Sequence, residues 1–378
     1  MTLKVGINGF GRIGRMTLRS IIEQDRKDIK VVHINNKSSA EISRFLLAND
    51  TVHGKLKLKT ELAGTDWSIN FNRKVISYSR ETEISKINWR QYGIDVVLEC
   101  TGKFNTIEKS SEHINSGASK VIVSAPCKGV KNIVFGVNEK DLKPKDKVIS
   151  AASCTTNCLA PVAYVLDEEF GIERGFMTTI HSYTTDQRLL DNSHKDLRRA
   201  RSAPNSMVPT TTGATKSLGD IIPRLKGKIE GISIRIPTPN VSLIEFVFSS
   251  SKNLTAEEIN NSFIKASKSK LKNILEINNE PLVSSDFNHN PHSAIVDLTL
   301  TKVIENKMAK VSAWYDNEWG FASRMCDLAN YFGKIFSIRE SSVIAPSFIG
   351  TLKSTLNKTL FPSIFRLSSN LFILTITY

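Results

Sequence analysis

The sequence has few cysteines and lacks a long apolar run, and both absences narrow the class of protein. Its five cysteines are an odd number scattered over 378 residues, unlike the framework of a secreted disulfide-rich domain. No run of about 18 apolar residues is present to span a bilayer. An apparent strand that begins at Leu3 leaves no room for a signal or transit peptide. We therefore expect a cytoplasmic protein with no membrane partner.

Acidic residues are outnumbered by basic ones, which raises the question of an anionic partner. The chain has 51 Lys and Arg against 37 Asp and Glu, a formal net charge of +14. Apart from a basic cluster in HKDLRRAR, from His194 to Arg201, the positive charge is spread along the chain. A dedicated nucleic-acid partner is not expected, because a basic soluble surface and cationic sites for small phosphorylated substrates explain the charge equally well.

The length and the order of the predicted elements indicate two domains. A chain of 378 residues is longer than a single typical core. Buried strands are predicted at residues 3–8, 30–35, 94–102 and 120–126, with helical segments between them. Strands that alternate with helices form βαβ units and a parallel sheet. We thus predict a dinucleotide-binding (Rossmann) domain over residues 1–152.

After Cys154 the pattern changes to longer alternating strands that are not each followed by a helix. Two helices interrupt them: a long one that ends at Gly171, and one opened by a capping box from Thr255 to Glu258. Long alternating strands without crossover helices favour a mostly antiparallel sheet. We therefore predict an α+β catalytic domain over residues 153–318.

The predicted fold class is α/β, a Rossmann dinucleotide-binding domain plus this α+β catalytic domain. A C-terminal helix is expected at residues 319–336, returning to the Rossmann domain. The remaining residues, 337–378, are nearly devoid of acid and form a tail of unknown role.

A glycine-rich turn follows the first strand. Gly9, Gly11 and Gly14 form the pattern G-x-G-x-x-G between a strand and a helix, which is the context that dinucleotide binding requires. The first glycine permits the tight turn, the second lets the backbone approach a pyrophosphate, and the third lets helix and strand pack closely. The helix N-terminus then offers free N–H groups to the phosphates. NAD or NADP is the expected cofactor.

The segment ISAASCTTNCLAP contains two cysteines four residues apart. Half of a zinc site and a disulfide stay open as alternatives, but a second close pair of Cys or His is absent, and a bridge of this spacing within one helix has awkward geometry. As a nucleophile, Cys154 would lie at a helix N-terminus, where the dipole lowers the pKa of a thiol. Cys158 would pack one turn further in as a small apolar residue. The best candidate for the base is His181, and no metal is expected.

Several sequence blocks together resemble those of one enzyme family. They include, in order, GINGFGRIGR, NDTVHGK, SAASCTTNCLAPVA, TIHSYTTDQ, HKDLRRARSAP, PTTTGATKSLG, RIPTPNVS and SAWYDNEWG. Over about residues 1–335 the chain resembles the phosphorylating glyceraldehyde-3-phosphate dehydrogenases. The resemblance implies that Cys154 is the nucleophile and His181 its base. It also implies that hydride transfer to the nicotinamide leaves a thioester on the enzyme, which inorganic phosphate then releases as 1,3-bisphosphoglycerate. This reaction belongs to glycolysis and runs in reverse in gluconeogenesis.

The same resemblance implies binding residues and an assembly. It assigns the substrate phosphate to a site built from Thr184, Asp186 and Arg235, in which Asp186 orients Arg235. It assigns the attacking phosphate to Ser153, Thr155, Thr212 and Gly213, with Arg199 close by. The implied cofactor contacts are Arg12, Ile13, Asn36, Arg80, Thr101, Ser124 and Asn317. A homotetramer, built through a segment at about residues 186–206, is also implied.

No carboxylate ends the second strand, where the residues are Asn35, Asn36 and Lys37. NAD enzymes of the family that this chain resembles normally carry Asp at the position of Asn36, where it would repel a 2′-phosphate. Many also have Leu-Pro where this chain has Asn192-Ser193, and that proline of a neighbouring subunit would crowd the same group. We therefore expect NADP to be favoured over NAD, with Lys37 and Ser193 in the cofactor site and dual specificity as the main rival.

Two other functions stay open at this stage. Erythrose-4-phosphate dehydrogenase would share the thiol and the histidine but release a free acid, so dependence on inorganic phosphate separates it. A protein that keeps the fold without catalysis and binds nucleic acid or a surface would depend strongly on salt.

Overall fold

Helices pack on two large sheets in the part of the chain that the computed structural model describes, residues 2–58, 63–65, 68–71 and 74–335; residues 49–50 and 54–55 form a separate two-stranded sheet. The helices are α1 Arg12–Glu23, α2 Ala40–Ala48, α3 Ile107–Asn115, α4 Cys154–Phe170, α5 Ala214–Ile221, α6 Ala256–Lys268 and α7 over residues 319–335. The strands are β1 Leu3–Asn8, β2 Ile29–Asn35, β3 Asn49–Asp50, β4 Gly54–Lys55, β5 Ala63–Thr65, β6 Ser68–Phe71, β7 Lys74–Ser79, β8 Val96–Glu99, β9 Lys120–Val123, β10 Lys131–Asn132, β11 Val148–Ser150, β12 Ile172–Ser182, β13 Val208–Thr211, β14 Ile229–Ile236, β15 Ser242–Ser250, β16 Leu275–Asn278, β17 Ala294–Asp297, β18 Lys302–Ile304 and β19 Met308–Tyr315.

The first sheet contains the strands predicted for the Rossmann domain. Its order is β10-β11-β9-β8-β1-β2-β7-β6-β5, and the strands from β10 through β7 pair in parallel. The central strand β1 buries Val5 and Ile7 completely, as expected for a parallel sheet covered on both faces. The predicted strands at residues 3–8 and 30–35 are confirmed, and the next two end earlier than predicted, at Glu99 and Val123.

The antiparallel edge of this sheet, β5 to β7, was not predicted. These strands are short and carry polar residues such as Ser68, Asn70 and Ser77, so their sequence lacks a clear apolar alternation. Strand β7 nevertheless pairs in parallel with β2, which places residues 79–83 beside the end of β2.

The second sheet has the order β13-β14-β12-β15-β19-β17-β16, with β18 paired to β19. Five of its seven pairings are antiparallel, and β12–β14 and β16–β17 are parallel. The predicted mostly antiparallel sheet is therefore confirmed. One face of this sheet packs on α4, with Leu159, Val162, Phe246 and Val311 fully buried in the shared core.

The ends of two helices follow from their sequence. Helix α4 is capped by Ser153, whose Oγ accepts from the Thr156 N–H at 3.1 Å, and it ends at Gly171, whose φ of +70° favours glycine. At α6 the Thr255 hydroxyl accepts a hydrogen bond from the Glu258 N–H and donates one to the Glu258 carboxylate. That carboxylate therefore does not complete a capping box with the backbone N–H of Thr255.

Residues Met1–Gly333 group into one compact unit, and a second unit begins at Lys334. The tail predicted over residues 337–378 lies outside the described residues. Within the described part of the chain, no helix combines the length and the apolar character that a bilayer span requires.

Candidate active site

Cys154 and His181 lie side by side, as predicted. Cys154 is the first residue of α4, and its Sγ is 3.5 Å from His181 Nε2. Just before it, Ala152 has a φ of +57°, a strained conformation of the kind that clusters at functional sites. His181 belongs to β12, and the parallel register of β12 with β14 places Arg235 directly opposite it. The sheet and the helix N-terminus thus bring a thiol, an imidazole and a guanidinium together.

The orientation of His181 leaves its Nε2 lone pair facing the thiol. Its Nδ1 lies 2.7 Å from the Ser182 carbonyl oxygen, which only accepts. Arg235 Nη1 lies 2.8 Å from the same Nδ1 and also donates to Ser182 O at 3.2 Å. Because the closest partner of Nδ1 is an acceptor, we assign the ring proton to Nδ1 and the arginine bond to the carbonyl. Nε2 is then a base.

The electrostatics of the pair differ from the sequence prediction. Burial raises the pKa of the Cys154 thiol above its ordinary value, although Arg235 and Thr155 both favour the thiolate. The N–H groups at the start of α4 do lower this pKa, as expected, but burial outweighs them. Burial, aided by the Arg235 charge, lowers the pKa of His181 to about 3. These directions favour a neutral imidazole at His181, whose Nε2 faces the thiol.

Cys158 has no share in this geometry. It is fully buried in the α4 core, with its Sγ 3.9 Å from the Ala313 carbonyl oxygen, and burial raises its pKa well above the ordinary value. It packs as the small apolar residue that was predicted. All five cysteines are unbridged.

A cleft of about 490 Å³ opens in front of the thiol. Its lining includes seven of the predicted site residues, Arg12, Ile13, Ser124, Ser153, Cys154, Thr184 and Asn317. The Asn317 Oδ1 accepts from the hydroxyls of Ser182 at 2.8 Å and Ser242 at 3.0 Å. Since both bonds occupy the carbonyl side of the amide, its NH₂ group is left to donate into the cleft.

A second cavity of about 230 Å³ lies at the ends of β1, β2 and β8. Its lining includes five of the predicted cofactor residues, Gly9, Gly11, Asn36, Lys37 and Thr101. The Asn36 Oδ1 accepts from the Phe10 N–H at 3.2 Å, which ties the end of β2 to the glycine-rich turn. Arg80 does not line the cavity, but its Nε donates to the Lys37 carbonyl at 3.2 Å. Two exposed cations therefore flank Asn36.

The glycine-rich turn has the shape that a dinucleotide needs. Gly9 has a φ of +90°, and a Cβ there would lie 2.6 Å from Thr101 N. A Cβ on Gly14 would overlap the Gly9 carbonyl, so α1 approaches the turn closely. A Cβ on Gly11 would meet no atom within 4 Å, so this backbone faces open space in which a pyrophosphate fits.

The predicted phosphate residues come together, but with one different pairing. Asp186 was expected to orient Arg235, and this is wrong: its carboxylate accepts from Arg199 Nη1 at 2.6 Å and contacts His194 at 3.4 Å. Arg199 is also bonded to Thr210 Oγ1 and Thr211 O. The reason is the fold of the segment after β12, which returns Arg199 onto the same edge of the sheet as Asp186.

The Arg235 side chain is left with an unused donor. Its Nε is buried and finds no hydrogen-bond partner within the described part of the chain, and the same holds for the Nε2 of Gln187. Gln187 Oε1 accepts from the Thr184 N–H at 3.0 Å. A buried donor without a partner costs free energy unless a ligand satisfies it, so these two groups indicate an anion site beside Thr184.

Four other predicted residues line neither cavity. Thr155 is buried, and its hydroxyl bonds to Tyr315 Oη at 2.9 Å. Thr212 Oγ1 accepts from the Ala214 N–H, and Gly213 opens α5 with free space on its Cβ side. Ser193 is exposed and lines neither cavity; its carbonyl accepts from Arg188.

Two family models match the chain. The model described as glyceraldehyde 3-phosphate dehydrogenase, NAD binding domain, matches residues 3–107, and the C-terminal domain model matches residues 153–317. The chain belongs to the glyceraldehyde 3-phosphate dehydrogenase family.

Curated members of this family are similar along most of their length. The chain is 50% identical over 336 residues to glyceraldehyde-3-phosphate dehydrogenase of Cereibacter sphaeroides, which covers 89% of this chain and 100% of that protein. It is 50% identical to glyceraldehyde-3-phosphate dehydrogenase 2 of Bacillus subtilis, covering 88% and 97%. It is 48% identical to glyceraldehyde-3-phosphate dehydrogenase of Geobacillus stearothermophilus, over 88% of this chain and 98% of that protein.

The sequence reasoning missed a buried tyrosine behind Cys154 and His181. Tyr315 Oη bonds to Thr155 and Thr179, each at 2.9 Å, and the ring meets His181 edge-on with centroids 5.9 Å apart. Burial raises the pKa of Tyr315 above its ordinary value. Its place at the end of β19, two residues before Asn317, is the signal that could have identified it.

A buried carboxylate under the cofactor turn was also missed. Glu99 accepts from Asn8 Nδ2 at 2.6 Å, Thr101 N at 2.7 Å and His113 Nε2 at 2.9 Å. Trp89 Nε1 donates to the other nitrogen of His113, which fixes its tautomer. This network holds Thr101 against the glycine-rich turn in the family's NAD-binding domain.

Proposed function

We propose that this chain catalyses the reversible oxidation and phosphorylation of glyceraldehyde 3-phosphate to 1,3-bisphosphoglycerate, with NAD(P) as the hydride acceptor. The observation that carries the proposal is the 3.5 Å approach of Cys154 Sγ to His181 Nε2 beside a cleft with a free Asn317 amide. The names of the relatives at 48–50% identity support it.

The first half of the reaction is assigned to Cys154 and His181. Neutral His181 accepts the thiol proton at Nε2, and the thiolate adds to the aldehyde carbon. The imidazolium returns the proton to the new oxyanion, which gives a hemithioacetal. Nε2 then removes the hydroxyl proton as the hydride leaves the same carbon, and the product is a thioester on Cys154. A bound NAD(P) supplies the hydride acceptor.

The second half is assigned to the anion site beside the thiol. A phosphate oxygen adds to the thioester carbonyl, the C–S bond breaks, and Cys154 leaves as a thiolate that the His181 imidazolium and Arg235 stabilise. The unpaired Arg235 Nε and the Thr184 segment would bind the substrate phosphate. Arg199, Thr212 and Gly213 would bind the attacking phosphate, together with Ser153 and Thr155.

The cofactor is assigned to the two cavities. The open face of Gly11 and the start of α1 would hold the pyrophosphate, with Arg12 and Ile13 alongside. The Asn317 NH₂ group would hold the carboxamide of the nicotinamide, and Ser124 would line the same region. Thr101 and Asn36 would face the adenosine half.

We further propose that NADP is preferred over NAD. Asn36 brings no negative charge to the edge of the adenosine cavity, and Lys37 and Arg80 place two exposed positive charges next to it. A 2′-phosphate would gain from both cations and lose nothing to Asn36. Glu81 and Glu83 line the same cavity, and their negative charges would partly offset this attraction for a 2′-phosphate. Dual use of NAD and NADP is therefore the alternative outcome.

A cytoplasmic homotetramer is proposed as the working form. Leu189, Leu190 and Leu197 are 72%, 77% and 83% exposed on the segment at residues 186–206, and such apolar exposure marks an interaction surface. Ser193, which lines no cavity of its own chain, would then serve a neighbour's cofactor site. Light scattering should give four times the chain mass of 42.1 kDa; a monomer would refute the assembly. We also retain the division into domains at residues 1–152 and 153–318.

The proposed activity is tested by following reduced nicotinamide with glyceraldehyde 3-phosphate, with and without inorganic phosphate. We expect turnover that requires phosphate and that Cys154→Ser abolishes. Turnover of erythrose 4-phosphate without phosphate would favour the hydrolytic sister enzyme. If neither assay shows turnover, and Cys154→Ser keeps a salt-dependent binding of nucleic acid, the non-catalytic role would be favoured.

A further inference from the structure

Two histidines meet ring to ring behind the cofactor cleft. His53 Nδ1 lies 3.1 Å from His289 Nδ1. His53 follows Thr51 and Val52, which line the cleft in front of the catalytic thiol. Neither ring has a part in the chemistry proposed above.

Each ring also faces a carboxylate through its other nitrogen. His53 Nε2 is 3.1 Å from Glu318 Oε2, and His289 Nε2 is 3.0 Å from Glu23 Oε2. Burial by itself would raise the pKa of both carboxyl groups, but hydrogen bonds and positive charges lower the pKa of Glu23 and of Glu318 below the ordinary value. Both are therefore ionised at neutral pH and act only as acceptors.

Counting protons across this chain of contacts shows how many ring hydrogens its bonds require. The two histidine–carboxylate bonds need a hydrogen on each Nε2, and the contact between the rings needs one hydrogen on either Nδ1. Three ring hydrogens are required, whereas two neutral imidazoles carry two. The three hydrogen bonds of this geometry therefore need one hydrogen more than two neutral rings supply.

The surroundings hold the rings in place. The His53 side chain has no exposed surface, and that of His289 is 32% exposed. His289 has a φ of +69°, a conformation that costs free energy for a residue other than glycine. Its ring stacks on Trp319 with centroids 3.5 Å apart, and its N–H donates to Asp316 at 2.7 Å. These contacts offset the strain.

The charged groups that face the pair come from three segments. They are Arg12, Arg19 and Glu23 of α1, Asp50 before His53, and Asp316 and Glu318 before α7.

The link to the cofactor runs through Glu318. Arg12 Nε donates to Glu318 Oε1 at 2.8 Å, and a second guanidinium nitrogen bonds to Oε2, the atom that His53 also contacts. Asp50 holds the other side of the guanidinium at 2.5 Å. A change in the histidine pair thus alters the partner that orients Arg12 beside the cleft.

We propose that His53 and His289 share one proton and, through Glu318, position Arg12 for the cofactor, so that a second proton on the pair weakens cofactor binding. With four ring hydrogens, two N–H groups would oppose each other at 3.1 Å, and the more exposed His289 would leave Trp319. This rests on the proposed function to the extent that Arg12 contacts the dinucleotide.

The test uses the full-length protein with His289→Asn, since Asn tolerates a left-handed backbone, and His289→Gly as a second variant. The control is His292→Asn, because His292 bonds to Asn290 and Glu276 instead. Solid-state ¹⁵N spectra of histidine-labelled protein count the ring protons. Trp319 fluorescence and the Kd of NAD are followed from neutral to acidic pH. NAD is the probe because a 2′-phosphate itself titrates at about pH 6.

We expect three ring protons on the pair at neutral pH and a fluorescence step on acidification. Over the same step the Kd should rise roughly fivefold, the low end of coupling between sites. Both His289 variants should lose the fluorescence step and the rise in the Kd of NAD, and His292→Asn should keep both. Two neutral rings, or a Kd step unchanged in both variants, would overturn the inference. Failure to bind NAD or NADP at any pH would instead refute the proposed function and this coupling, while the proton count would still decide whether the proton is shared.

Discussion

Replacing Asn36 by aspartate is expected to turn cofactor preference toward NAD. The new carboxylate can keep the bond from the Phe10 N–H that Asn36 Oδ1 now accepts at 3.2 Å, so the glycine-rich turn should stay in place. It also brings a negative charge to the edge of the adenosine cavity, where Lys37 and Arg80 lie on the surface. The carboxylate would repel a 2′-phosphate and accept hydrogen bonds from the ribose hydroxyls of NAD.

The size of this effect follows from Coulomb's law. A carboxylate and a phosphate of charge about −1 to −2, about 5 Å apart in a half-exposed site with an effective dielectric constant of about 40–80, repel by about 1–3 kcal/mol. This corresponds to a change of about 5- to 150-fold in the ratio of kcat/KM for NADP to that for NAD.

The assay is steady-state kinetics with both cofactors at saturating glyceraldehyde 3-phosphate and phosphate. Asn49→Asp is the matched control, because Asn49 is an exposed asparagine of the separate two-stranded sheet β3-β4 and lines neither cavity. A wild-type ratio that favours NAD by about tenfold or more, or an Asn36→Asp ratio equal to that of the control, would refute the reasoning.

Three further predictions concern reactivity, stability and the tail. Limiting iodoacetamide should label Cys154 first and abolish activity, ahead of Cys100, whose pKa burial and Glu99 raise to about 12; first labelling of Cys100 on a peptide map would contradict this. Burial lowers the pKa of His33 to about 4, so the unfolded chain binds more protons below pH 6.5 and the free energy of unfolding falls on acidification. His33→Gln should flatten that fall by about 2–3 kcal/mol in urea unfolding, and parallel pH curves would count against it. Truncation after Ile335 should leave an active enzyme in the same kinetic assay, and an inactive or unfolded product would show a structural tail.

The parts of the fold that depend on local pattern could be predicted from sequence. Strand β1, the glycine-rich turn and the cap of α4 by Ser153 each follow from apolar runs, turn residues and hydroxyl groups over a few residues. His181 was already the best candidate for the base of Cys154 from the sequence, and the family resemblance then implied the pair. The residues are 27 apart, and spacing alone does not fix a tertiary contact.

The parts that depend on tertiary packing could not be predicted. Asp186 pairs with Arg199 rather than Arg235 because the path of the segment between them decides which guanidinium arrives. The raised pKa of Cys154 reflects desolvation, which a sequence does not display, whereas the helix dipole that was considered acts locally. The role of Tyr315 depends on two threonines from distant elements.

The central claim is a thioester on Cys154 that only phosphate releases efficiently. Intact-mass spectrometry of the protein mixed with glyceraldehyde 3-phosphate and oxidised cofactor, without phosphate, tests it directly. The account predicts one phosphoglyceroyl group per chain, mapped to the Cys154 peptide, absent in Cys154→Ser and removed rapidly when inorganic phosphate is added. An adduct on another residue, or loss of the acyl group at the same rate with and without phosphate, would contradict the account.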